Sequence, residues 1–168
     1  MKKFSITIIL IIVLFSLIIS CNSTKEKNDN EPKEIKFTIG TAGIFCGSTS
    51  YGTLLINNHT LLKETFEDQS IQWEDGVPIW DRYSDDFFDQ NALVMYTFGG
   101  SGDNVPEFEV ERLVKEGNTL TIYIIQHGMT EGLMYYTVTI LIEVNKFNMV
   151  NVENIETNTK LIFYPGGN

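Results

Sequence analysis

The chain has 168 residues, with 12 Lys and Arg against 22 Asp and Glu and a formal net charge of −10. That balance disfavours a nucleic-acid partner and repels a flat anionic membrane surface, because like charges would meet. Two cysteines and two histidines leave little material for a disulfide framework or a zinc site.

Lys2 and Lys3 open the chain with positive charge, and an apolar run free of charge follows from Phe4 to Ile19. This is signal-peptide anatomy. The run ends Leu17, Ile18, Ile19, Ser20, Cys21, which resembles the lipobox of bacterial lipoproteins. The resemblance implies that residues 1–20 are a signal peptide and that Cys21 carries diacylglycerol on its thiol and becomes the new N-terminus. Several acyl chains hold a protein far more firmly than one. Membrane lipid is therefore the first expected partner, and the expected location is the cell envelope, after export. Loss of Lys2 and Lys3 takes the net charge to −12.

Residues 21–34 hold only polar and charged side chains after Cys21, apart from one Pro, and read as a disordered tether. Residues 35–168 then form one domain with room for a single core. With Cys21 acylated, Cys46 is the sole thiol and has no disulfide partner in the chain; it reads as buried or idle.

Asn57 and Asn58 offer a side-chain cap to a short helix that buries Leu62 and Phe66, four residues apart. His59 is then a polar residue at a helix start. Between 73 and 89 the chain concentrates aromatics, Trp73, Trp80, Tyr83, Phe87 and Phe88, among the acids Asp75, Asp81, Asp85, Asp86 and Asp89. The acids match no calcium-loop spacing. The aromatics read first as core and second as the lining of a sugar or peptide groove. Ser84, whose side chain can cap, starts a second short helix, with Asp85 and Asp86 against the positive end of its dipole and Phe87 and Phe88 facing inward.

The run Gly99, Gly100, Ser101, Gly102, Asp103, Asn104 lacks the Lys-Ser/Thr and the following helix of a phosphate cradle, and reads as an exposed loop between strands. Such a loop is where a binding protein places contacts, and these six residues are the candidate protein-binding site. Strands from Glu107 to Lys115 and Thr119 to Gln126 flank a tight turn at Gly117-Asn118. His127 sits at a strand end before Gly128. Tyr136, Val138, Ile140, Ile142 and Val144 form one apolar face of a strand whose other face carries Thr137, Thr139 and Glu143, so a half-buried strand is expected. Asn145 to Asn148 reads as a second hairpin turn. The fold class that results is α+β: a mostly antiparallel sheet, curled or stacked on itself like a sandwich, with two short helices.

From Asp85-Phe87-Phe88 through Asn91-Ala92-Leu93-Val94, the Gly99 to Gly102 loop and Ile142-Glu143-Val144, the order of features resembles the PrcB C-terminal domain family, over roughly residues 51–155. The resemblance implies a secreted or lipid-anchored accessory protein of a surface protease complex, with no enzymatic activity. The chain departs from the family's pattern where its loop usually ends Gly-Gly-Tyr and where a Pro usually precedes the last strand. The expected function is that of a non-enzymatic, membrane-anchored binding module without a cofactor, with an envelope protein as partner. The competing expectation is a calcium- or sugar-dependent enzyme or scavenging lipoprotein that uses the 75–89 region.

Overall fold

A computed structural model describes residues 31–45, 52–67, 69, 71–73, 76–101, 107–127 and 135–162. Cys21 and Cys46 lie outside the described residues, as do Gly102, Asp103 and Asn104. In chain order the elements are β1 (Lys33–Ile35), β2 (Phe37–Phe45), β3 (Gly52–Ile56), α1 (His59–Phe66), β4 (Gln72–Trp73), α2 (Ile79–Arg82), α3 (Asp85–Gln90), β5 (Asn91–Ser101), β6 (Glu107–Glu116), β7 (Thr119–His127), β8 (Tyr135–Asn145), a 3-10 turn (Lys146–Met149) and β9 (Asn154–Ile162).

The strands form two sheets, in the orders β1-β6-β7-β9 and β3-β5-β8-β2-β4. Among the described residues, every pairing is antiparallel except that of β7 with β9. The β-rich class with a few short helices is thus as expected. β6 and β7 meet through Gly117-Asn118, and Gly117 adopts φ 59°, a conformation glycine reaches without steric cost.

β8 is central in its sheet and both of its faces are covered. Val138, Ile140, Ile142 and Val144 join Leu113, Leu120, Ile122 and Ile124 of the other sheet in one core. On its reverse face Leu141 is buried with Leu62, Phe66, Ile79 and Phe88, under the helical segment. Thr137 and Thr139 are buried too, and the Thr139 hydroxyl lies 3.0 Å from that of Thr97 on β5. The half-buried strand expected from alternation is therefore corrected: Leu141 packs with the helical segment, Thr137 and Thr139 are buried on the same face between β2 and β5, and the Thr97–Thr139 hydroxyl pair satisfies polar groups there.

Three further boundaries differ from expectation. Lys33 and Glu34, assigned to the tether, belong to β1, where backbone pairing with Lys115 and Val114 holds two exposed side chains in line. Asn145 to Asn148 is not a hairpin turn: the Asn145 side chain accepts from the Phe147 amide and opens a 3-10 turn that carries the chain from one sheet to the other. α2 is an additional helix, too short for any periodicity to reveal.

Candidate functional site

The aromatic segment between α1 and α3 builds an open groove of about 310 Å³, lined by Gln69, Ile71, Gln72, Trp73, Gly76, Val77, Pro78 and Trp80. Its floor is set by β4, a two-residue strand at the end of its sheet that pairs with Gly43 and Ile44 of β2. Gly43 is required there by close approach. A Cβ at that position would lie 2.5 Å from Ile71 Cγ2 and 2.8 Å from Trp73 Cε3. With no side chain beneath it, the Trp73 indole settles against β2 and meets the Phe66 ring edge-on, centroids 5.4 Å apart. Trp73 is thereby core, as expected, at 7% exposure.

Trp80 is different. It is only partly buried, on α2, and it borders the groove beside exposed Val77 and Pro78. The Trp80 carbonyl lies 3.1 Å from His59 Nε2, so the first residue of α1 is tied to the middle of α2. α1 itself starts where the Asn58 side chain accepts from the Leu61 amide at 2.8 Å, the expected cap. Gly76 takes φ 70° in the turn that closes when its amide donates to the Trp73 carbonyl, a conformation that favours glycine. The groove thus offers an aromatic face, the apolar side chains of Ile71, Val77 and Pro78 and the amides of Gln69 and Gln72, a lining suited to an apolar or aromatic segment or to a sugar ring. Gln69 Nε2 is already engaged by the Thr65 carbonyl at 2.7 Å.

A polar cluster ties the end of α2 to the sheet. Tyr83 is buried, and its hydroxyl donates to Glu143 Oε1 of β8 at 3.0 Å. Burial and then the negative charge of Glu143 push the Tyr83 hydroxyl well above its ordinary pKa, so it stays protonated and donating. Arg82 Nη1 donates to the Gly40 carbonyl at 3.2 Å. Gly40 sits at an irregularity in β2, between Ile39 and Thr41, and a Cβ there would collide with the Tyr83 hydroxyl and the Glu143 carboxylate. This cluster joins α2, β2 and β8.

Gly99, Gly100 and Ser101 are not in a loop. They extend β5 opposite Thr137, Tyr136 and Tyr135 of β8. The long register with β8 holds them extended despite the low strand preference of glycine. His59 is at a helix start and lies 4.0 Å from Asp85; His127 ends β7, opposite Glu107. Asp81, Asp85, Asp86 and Asp89 are exposed, and among the described residues no three of His, Cys, Asp and Glu come together as metal ligands. Among the described residues, no helix is long and apolar enough to cross a membrane. Comparison with protein-family models, curated proteins and solved structures found no match to this chain.

Proposed function

We propose that this protein is a lipid-anchored, non-enzymatic binding module of the bacterial cell envelope, held by acylated Cys21, that accepts a segment of a partner protein in the groove beside β4. The observation that carries the groove assignment is Trp80, partly exposed on a helix that is tied to α1 through His59 and flanked by Val77 and Pro78. A rigid aromatic on a concave apolar surface is where binding energy concentrates, with about 2 kcal/mol or more lost on its truncation. The anchor rests on the lipobox-like Leu17 to Cys21. The resemblance to the PrcB C-terminal family makes an accessory role beside an envelope protease the accompanying proposal. The Gly99 to Asn104 run is proposed as a second contact surface.

The test is site-specific photo-crosslinking on intact cells, with the reactive group at Val77 in one strain and at Ser101 in another. Capture of one envelope protein through Val77, reduced at least tenfold by Trp80→Ala, supports the groove. Capture through Ser101 alone refutes the groove and retains the second surface. Binding of a carbohydrate is the second reading, favoured by the company Trp80 keeps with Gln69 and Gln72. It predicts that oligosaccharide titration changes tryptophan fluorescence in the unchanged chain and not in Trp80→Ala.

A further inference from the structure

The two most exposed large apolar side chains among the described residues are Phe147, 77% exposed, and Val150, 55% exposed, and they lie three residues apart. They are not on a slack loop. The Phe147 amide is held by the Asn145 side chain, Met149 between them is buried in the core, and the Val152 amide closes back on the Met149 carbonyl. Asn151 holds φ 63° immediately after Val150. Three lysines brace the same turn: Lys115 Nζ donates to the Val150 carbonyl, Lys146 Nζ to the Phe88 carbonyl at 3.0 Å, and Lys33 Nζ to Asn148 Oδ1 at 3.2 Å. No carboxylate occurs between Glu143 and Glu153, in a chain whose net charge is −10.

We infer that this turn is a membrane-contact tip, with Phe147 and Val150 entering the boundary between headgroups and acyl chains of the bilayer that holds Cys21. The inference rests on the lipid-anchor reading. Chain connectivity selects the occupant. Lys33, which bonds the turn, is twelve residues after Cys21. Twelve residues reach about 40 Å when fully extended and on the order of 20 Å on average for a flexible chain. The end of the domain that carries Phe147 is therefore the end at which β1 begins.

Two side chains are far too little surface for a stable protein interface, which needs roughly 800 Å² from each partner. They suffice for a bilayer, because the acyl anchor already supplies a high local concentration and the tip has only to set orientation. The lysine ammonium groups and the amides of Asn148 and Asn151 match the polar headgroup layer above the apolar pair. The overall negative charge of the chain opposes an anionic surface, so the contact is expected on zwitterionic lipid as well.

The test uses the full-length acylated protein reconstituted into phosphatidylcholine vesicles, with acyl chains brominated or unmodified, as the unchanged chain and as Phe147→Trp. Position 147 is exposed, so the variant keeps the fold. Trp73 and Trp80 give the background emission that the unchanged chain measures. The expected result is an added emission component in Phe147→Trp that is blue-shifted and at least halved in intensity by the brominated chains. An added component that emits as in water and is unquenched, from protein that floats with the vesicles, overturns the inference. Failure of the unchanged protein to float overturns the anchor reading, and the tip with it.

Discussion

Replacing Gly43 by alanine tests the packing that places the groove floor. The new methyl would sit 2.5 Å from Ile71 Cγ2 and 2.8 Å from the Trp73 ring, and ordinary contact requires about 3.4 Å or more. Trp73 cannot retreat easily, since Phe66 stands edge-on against it and the surrounding cluster is buried. Overpacking of this kind costs about 1–3 kcal/mol. Alanine recovers at most about 0.4–1 kcal/mol by restricting the unfolded chain. The net destabilisation is therefore about 1–2 kcal/mol, and a domain of this size loses roughly 3–4 °C of Tm per kcal/mol. Thermal unfolding followed by circular dichroism should show a drop of about 3–8 °C. Ile71→Ala removes the nearest contact, so in the double variant the two effects should fall short of additive by about 0.5 kcal/mol or more. An unchanged Tm in Gly43→Ala, or strict additivity with Ile71→Ala, would refute the close-approach account.

Tyr83→Phe removes the donor to Glu143 and should cost about 1.5 kcal/mol, the lower end for a bond to a charged group, since Glu143 is partly exposed. The folded state holds the Tyr83 proton more tightly than the unfolded chain does. This contribution is therefore complete below the ordinary tyrosine pKa of 10.0 and is lost as pH rises above it. Urea titrations between pH 8 and pH 11 should show the unchanged chain losing more stability than Tyr83→Phe over that interval. Asn58→Ala removes the acceptor at the start of α1 and should lower stability by about 1 kcal/mol, read as a Tm drop of about 3–4 °C. Cys21→Ala should abolish incorporation of labelled fatty acid and leave a larger precursor on gels, while normal processing would contradict acylation at that thiol.

What the residue pattern revealed, and what it hid, follows from how far each element depends on distant neighbours. The hairpin at Gly117-Asn118, the cap at Asn58 and the helix start after Ser84 are local, and each is legible in a few residues, although the Ser84 side chain makes no capping hydrogen bond. β9 is not: Asn154–Ile162 is mostly polar and exposed, and only the partner β7 defines it as a strand. The second covered face of β8 is hidden in the sequence because Thr137 and Thr139 look solvent-facing until Thr97 pairs with Thr139 and Leu141 packs with the helical segment. Among the aromatics, Trp73, Tyr83 and Phe88 are core as their type suggests. Trp80 stands partly outside it, and only the turn at Gly76 and the two-residue β4 decide that difference. The end of β5 was misplaced because three small residues, Gly99, Gly100 and Ser101, look like a turn when β8 is not in view.

The parallel pairing of β7 with β9 has a consequence for the order in which the chain can assemble. Thr119 pairs with Asn154, thirty-five residues later, and between them the chain must lay β8 into the opposite sheet. The β6-β7 hairpin can close within microseconds, whereas β9 finds its place only after that long excursion is organised, because the entropy of closing the larger loop comes first. Until then the far edge of β7 stays open, with its unpaired amides able to template another chain. Once β9 docks, the new edge carries Glu156, Asn158 and Lys160, whose charge and polarity discourage further strand addition. The last strand to arrive is thus the one that makes the sheet safe against self-association.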